Sequence, residues 1–238
     1  MKLRFGRTLL LLIGLGAVMV TSSAQGQVAV DPNAYLYIAH AAAGRQFVSG
    51  GNPALPVDIK VNGVCVSKGQ SFGEIRGPYA APAGSWAFDL SLADSLNPCG
   101  NPTIASVTKT FSAGTTYVGV LNFIGSNQLD SVFFTADLSS VMTGRSRLLV
   151  INATHDTLTA VLKNATLTQT ATLTPNALGN FLPSAGMYSA SVESGATTVA
   201  GPINVTLLPR NVQIFVFAGS TSNNSVQLLG PKVIWDVF

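Results

Sequence analysis

The sequence predicts an all-β fold, because short runs of alternating apolar and polar residues recur and no stretch shows sustained helical periodicity. Gly, Pro, Asn and Ser residues interrupt these runs, as expected for turns between strands. The clearest run is Trp86–Leu92, in which every second residue is large and apolar, so that one face is buried in a sheet. The chain of 238 residues is 47% hydrophobic and 10% charged, a composition that excludes intrinsic disorder.

The alternating pattern occurs twice in the same order, which indicates a tandem duplication. The similar segments are residues 36–41 and 148–153, 57–63 and 158–164, 82–86 and 184–188, and 123–126 and 217–220. We therefore expect one domain over residues 28–144 and a second over residues 145–238. Each is predicted to be an antiparallel immunoglobulin-like β-sandwich of about seven strands.

A hairpin is predicted at Asn62–Gly63, since a type I′ turn needs two residues that tolerate positive φ. The expected cross-strand pairs are Val61–Val64, Lys60–Cys65 and Ile59–Val66. This register places Cys65 on the outer face of the sheet. Cys99, the only other cysteine, lies in a loop rich in Pro, Gly and Asn over residues 97–102. In an exported chain such a pair indicates a disulfide, here one that straps the loop over the outside of the sheet.

Residues 1–24 are predicted to be a secretory signal peptide. Lys2, Arg4 and Arg7 precede an apolar run over residues 8–20, and small residues lead to a cleavage position after Ala24. The run is shorter than the roughly 20 residues that span a bilayer, so no transmembrane span is expected after cleavage, and an uncleaved anchor is the alternative. We therefore predict an exported protein, either periplasmic, on the cell surface or extracellular.

The charge of the mature chain argues against a nucleic-acid partner. Removing the three basic residues of the signal from the chain's thirteen leaves ten basic and ten acidic side chains. The basic residues are scattered, apart from Arg145 and Arg147, whereas phosphate backbones are bound by clustered Lys and Arg. No spacing of ligands predicts a metal or another cofactor.

The chain resembles the bacterial family designated domain of unknown function 4397. The resemblance rests on segments that occur in the family's order, namely residues 38–41, 56–63, 72–73, 82–84 and 114–120. It covers residues 34–137, and a diverged second copy covers residues 147–238, with Asn152 where the first copy has His40. The resemblance implies exported β-sandwich modules of the envelope or extracellular space, often in tandem, with no established activity.

Two motifs are compatible with catalysis, but each has a simpler interpretation. Residues 69–73 match the G-x-S-x-G pattern of a hydrolase nucleophile, yet Gly77 and Pro78 follow where that fold needs a helix. A turn between strands is therefore predicted. His40 ends a predicted strand and is expected to form local hydrogen bonds, and His155 lies in a predicted turn. Both histidines lack the spacing of a metal site, so we predict a protein that is not an enzyme.

Two aromatic residues are the candidate contact residues. Tyr79 follows Gly77–Pro78 in an expected loop, and Trp235 lies near the end of the sequence. Trp86 and Tyr188 alternate with other apolar residues and are expected in the cores instead. The leading hypothesis is a structural or protein-contact module whose partner is an envelope or extracellular protein. A carbohydrate-binding or adhesion module is the alternative, and a hydrolase is a third hypothesis.

Overall fold

The protein, in a computed structural model that describes residues 31–42, 54–124, 128–139, 141–222 and 224–236, is all-β. The predicted signal peptide lies outside the described residues. The strands of the first half are β1 (Asn33–His40), β2 (Val57–Val61), β3 (Val64–Gln70), β4 (Ile75–Pro82), β5 (Gly84–Leu92), β6 (Thr103–Phe111), β7 (Thr116–Ile124) and β8 (Gln128–Thr135). Those of the second half are β9 (Arg147–Asn152), β10 (Leu158–Lys163), β11 (Thr168–Leu173), β12 (Ala177–Phe181), β13 (Gly186–Ser194), β14 (Thr197–Leu207), β15 (Asn211–Ala218) and β16 (Gln227–Asp236).

The strands form four sheets of four strands each, and the two halves have the same strand order. The first half has an outer sheet, β3-β2-β5-β6, and an inner sheet, β4-β1-β7-β8. The second half has the corresponding outer sheet, β11-β10-β13-β14, and inner sheet, β12-β9-β15-β16. Two β-sandwiches are therefore present, as predicted, with eight strands each rather than about seven. Each inner sheet contains one parallel pair, β1 with β7 and β9 with β15, within otherwise antiparallel pairing.

The predicted hairpin between β2 and β3 forms with part of the expected register. Asn62 and Gly63 have φ of 49° and 79°, which fits a type I′ turn. The pairs Val61–Val64 and Lys60–Cys65 are confirmed. The pair Ile59–Val66 is wrong, because the register shifts after Lys60 and Ile59 pairs with Ser67. A β-bulge of this kind inserts a residue into one strand and leaves no trace in the alternating pattern.

Each sandwich has its own core between its outer and inner sheets. Trp86 and Tyr188 are 2% and 3% exposed, so their predicted core positions are confirmed. The two residues also make equivalent hydrogen bonds. The Trp86 indole N–H donates to the Pro82 carbonyl oxygen at 2.9 Å, and the Tyr188 hydroxyl donates to the Ser184 carbonyl oxygen at 3.0 Å. In each sandwich the aromatic side chain therefore connects its own strand, β5 or β13, to the backbone four residues earlier.

A third core joins the two sandwiches, because the two inner sheets pack face to face. The first sandwich contributes Tyr37, Ala39, Ala41, Val118, Val120, Ala136 and Val141. The second contributes Leu149, Ile151, Ala153, Val212, Ile214, Val216, Ala218, Leu229 and Ile234. Leu149, Ile151 and Ile214 are fully buried. The inner sheets are therefore apolar on both faces, and the four sheets stack in four layers.

Polar contacts reinforce this interface at both ends. The Tyr37 hydroxyl donates to the Ile234 carbonyl oxygen, and the Asn122 amide donates to the Ala153 carbonyl oxygen at 3.3 Å. At the junction, Arg147 donates to the backbone of Asp137 and Ser139 and lies 2.7 Å from a carboxylate oxygen of Asp137. Hydrogen bonds from the backbone N–H and the side chain of Ser139, and then the Arg147 charge, lower the pKa of Asp137 below its ordinary 3.8. The junction is thus attached to the first strand of the second sandwich.

Gly-Pro pairs interrupt three of the edge strands with bulges. Gly77–Pro78 lies in β4, Gly201–Pro202 in β14 and Gly230–Pro231 in β16. The register of the neighbouring strand shifts at each pair. A Cβ atom on Gly77 would lie 2.7 Å from the Leu36 carbonyl oxygen, so glycine is required for this close approach. Proline has no N–H to offer at an edge, and bulged edges are poor templates for further strand pairing.

Candidate functional site

The disulfide and its loop form the first predicted site, and both are confirmed. Cys65 in β3 and Cys99 in the β5–β6 loop are bonded, with Cα atoms 6.0 Å apart. The loop lies against the outer face of the outer sheet, as expected. The buried carboxylate of Asp58 in β2 binds both the loop and β3. It accepts the Cys99 N–H of the loop at 2.7 Å and the Gly69 N–H of β3 at 2.7 Å. The sequence did not predict this role of Asp58.

His40 lies at the end of β1 and is fully buried. Its Nε2 atom is 2.8 Å from the Leu55 carbonyl oxygen, and the Ala42 N–H donates to Nδ1 at 3.3 Å. A proton on Nε2 satisfies both contacts, so the neutral tautomer is defined by its neighbours. Burial lowers the pKa of His40 to about 4, against the smaller opposing effects of Leu55 and Glu74. The predicted local hydrogen bonds are confirmed, and the imidazole is uncharged at neutral pH.

Asn152 occupies the same position at the end of β9. Its Oδ1 accepts the Thr154 N–H at 3.0 Å, as Nδ1 of His40 accepts the N–H two residues along. Its amide donates to the carbonyl oxygens of Asp156 and Leu173 at 2.7 and 2.9 Å. Asn152 therefore holds the loop after β9 as His40 holds the loop after β1. Unlike the imidazole of His40, its amide does not titrate.

Residues 69–73, the G-x-S-x-G match, comprise the last two residues of β3 and the turn that leads into strand β4, where a turn between strands was predicted. The Ser71 N–H donates to the Glu74 carboxylate at 3.0 Å, and the Glu74 N–H donates to the Ser71 carbonyl oxygen at 3.1 Å. Gln70 is fully buried and donates to the Ile38 carbonyl oxygen at 2.8 Å. Hydrogen bonds of the Glu74 and Gln70 side chains and of the backbone hold the segment as a tight turn between strands, unlike the strand–turn–helix of a nucleophile elbow.

Of the two candidate contact residues, Tyr79 is placed differently from the expectation. Tyr79 lies in edge strand β4 opposite Leu36 rather than in a loop, because the strand continues beyond the Gly77–Pro78 bulge. It is half-buried and packs against the core of the first sandwich. The backbone of Trp235 pairs with Val212 in β16, and its side chain lies outside the described part of the structure.

An exposed apolar cluster at one end of the second sandwich is a feature that sequence analysis missed. It consists of Met142, Leu182, Met187 and Leu208, which are 73%, 48%, 79% and 41% exposed. We call this set the apolar rim. The signal was present in the sequence as large apolar residues beside Gly, Pro and Ser in turns, where packing does not require them.

No protein-family model matches the chain, and no curated protein matches it. Across the described ranges, no group of three or more His, Cys, Asp or Glu residues is placed to hold a metal ion. Within those same ranges, no helix has the length and apolar character needed to cross a membrane.

Proposed function

We propose that the protein is an exported, non-enzymatic β-sandwich protein of the cell envelope or extracellular space that acts by contact with an envelope or extracellular protein. The predicted signal peptide and the disulfide both support export, because disulfides persist in oxidising compartments. The charge balance of the mature chain suits an extracellular scaffold.

The observation that carries this proposal is that buried polar side chains form hydrogen bonds to the protein's own backbone. His40, Asp58, Asn152 and Arg147 each bind loop or junction backbone, and each is nearly or fully buried. Groups of these types are the usual acids, bases and ligands of active sites. Here they fix the ends of strands, and the third core fixes one sandwich on the other. The arrangement favours a rigid body that presents its surface.

A tandem duplication within this proposal is supported by equivalent details in the two halves. The strand order is the same, and Trp86 and Tyr188 bond to the fourth residue before them. His40 and Asn152 hold equivalent loops, one in each sandwich. We infer that the second sandwich is a diverged copy of the first, as the resemblance to domain of unknown function 4397 implies.

The proposal favours strand ends and loops over sheet edges as the contact surface. Three edge strands, β4, β14 and β16, carry Gly-Pro bulges that oppose strand addition. The loops, in contrast, are held by buried polar side chains and by the disulfide, which lowers the entropy lost on binding.

The test is affinity capture from envelope and culture-medium extracts with purified residues 25–238, together with a glycan array on the same preparation. We expect saturable capture of a protein that the reduced, unfolded chain does not retain. Specific glycan binding that is lost in Tyr79→Ala, with an unchanged unfolding midpoint, would replace the proposal with a carbohydrate-binding role. No saturable binding in either assay would contradict a contact function.

A further inference from the structure

The exposed apolar side chains are concentrated at one end of the molecule. Among the described residues, nine large apolar side chains are exposed, and five of them lie where β9 begins, namely the apolar rim and Leu167. Met142 and Met187 are the most exposed of these five, at 73% and 79%. Isolated exposed apolar residues need no explanation, whereas a cluster of them marks a contact surface.

Backbone hydrogen bonds connect the three segments that carry the rim. The Ala185 N–H donates to the Gly144 carbonyl oxygen at 2.8 Å, and the Ser146 N–H donates to that of Pro183 at 3.0 Å. The Arg210 N–H donates to the Arg145 carbonyl oxygen at 2.7 Å. Segments 142–146, 182–187 and 206–211 thus form one surface of fixed shape, with the apolar side chains on it.

Basic side chains accompany the rim. Arg145 and Arg210 lie within two of its segments and are exposed, and Lys163 ends the neighbouring strand β10 and is exposed. The nearby acidic residue Asp137 is paired with Arg147. Asp236 also belongs to this end by its backbone pairing with Asn211.

Among the described residues, the charges near the strand ends are polarised along the strand direction. By strand position, the end that carries the rim holds the basic residues Lys109, Arg145, Arg147, Lys163 and Arg210 and the acidic residues Asp31, Asp137 and Asp236. The opposite end holds the acidic residues Asp58, Glu74, Asp94, Asp130, Asp156 and Glu193 and the basic residues Lys68 and Arg76. Such a distribution orients a molecule with its rim toward an anionic surface.

We propose that the apolar rim is a docking surface for an anionic phospholipid membrane. Protruding Met and Leu side chains flanked by Arg are the combination that binds a bilayer interface, since the apolar groups enter the acyl boundary and the cations meet phosphate. The exposed cations Arg145, Arg210 and Lys163 match the anionic headgroup region of such a membrane. This inference rests on one part of the proposed function, namely export, which gives the protein access to the outer surface of a membrane.

The test is co-sedimentation of purified residues 25–238 with phosphatidylglycerol–phosphatidylcholine vesicles and with pure phosphatidylcholine vesicles, at low and high salt. We expect binding to the anionic vesicles that weakens at high salt. Met142→Ser with Met187→Ser should lower the partition coefficient at least about tenfold. Arg145→Gln with Arg210→Gln should lower it about thirtyfold, from about fivefold for each cation.

Leu96→Ser is the matched control, because Leu96 is 95% exposed at the opposite end of the molecule. It should bind vesicles as the unaltered protein does. Equal binding to both vesicle types, or rim variants that bind like the control, would overturn the proposal. Dimerisation in sedimentation velocity that the rim variants abolish, without vesicle binding, would overturn it in favour of a self-association surface. Protein capture by the rim variants, measured separately, tests the proposed function independently of this outcome.

Discussion

Replacing His40 by Asn should remove a defined part of the protein's pH-dependent stability. His40 is fully buried, and burial lowers its pKa from 6.5 to about 4. The unfolded chain therefore binds more protons than the folded one between these values. The free energy of unfolding rises with pH across that window and falls as the pH drops through it. A fall of about 2.5 in pKa at 1.36 kcal/mol for each unit gives about 3 kcal/mol.

The variant His40→Asn carries the residue that holds the equivalent loop in the second sandwich, where Asn152 makes the same contact with the N–H two residues along. At pH 7 it should lose about 1–2 kcal/mol of stability, because the bond to the Leu55 carbonyl oxygen is altered. From pH 7 to pH 4, its stability should fall by about 3 kcal/mol less than that of the unaltered protein.

Urea unfolding followed by tryptophan fluorescence at several pH values measures this difference. His155→Asn is the matched control, since His155 is exposed in the β9–β10 loop, and it should keep the original pH dependence. If the stability of His40→Asn falls between pH 7 and pH 4 as steeply as that of the unaltered protein, His40 is not the source of this pH dependence.

Three further changes test the packing and the cross-links. Ile151→Ala should cost about 2–5 kcal/mol in urea unfolding, as in the core of a single domain, and a loss under about 1 kcal/mol would contradict the third core. Opening the disulfide by Cys65→Ser with Cys99→Ser should cost about 3–4 kcal/mol, because the bridge joins residues 34 apart, and an unchanged midpoint would contradict this. Arg147→Gln should speed proteolysis at the junction near Asp137, and the cleavage rate measured by mass spectrometry checks this.

The alternating runs were sufficient to predict the two sandwiches and their separate cores. They did not predict the third core, because alternation shows only one buried face for each strand. The unbroken apolar runs of β9 and β15 carried the missing signal, since a strand buried on both faces loses its alternation. An unbroken apolar run indicates that both faces of its sheet are buried. The structure is needed to show that the second face packs against the first sandwich.

Local shifts in register explain the other differences between the sequence-based expectations and the structure. The bulge after Lys60 moved the partner of Ile59 by one residue, and the bulge at Gly77–Pro78 kept Tyr79 within a strand. The turn at Asn62–Gly63 was predicted correctly, whereas Gly77–Pro78 is a bulge within β4 and not a loop. The disulfide was predictable because the cysteines are an isolated pair, whereas the position of Asp58 beneath the strapped loop depends on the folded sheet.

The apolar rim could not be assembled from the sequence, because its residues come from the junction and from two distant turns. Met142, Leu182 and Met187 have unrelated sequence neighbours and become one surface only through the hydrogen bonds among their segments. The polarised charge has the same origin, since alternating strand directions bring distant residues to the same end.

The measurement that tests the central claim most directly is ¹⁵N NMR relaxation of residues 25–238, with separate rotational correlation times for the two sandwiches. The third core and the Arg147 junction join the sandwiches into one body, so both sandwiches should tumble with a common correlation time set by the whole protein. Two shorter and different correlation times would show independent sandwiches and would contradict the account.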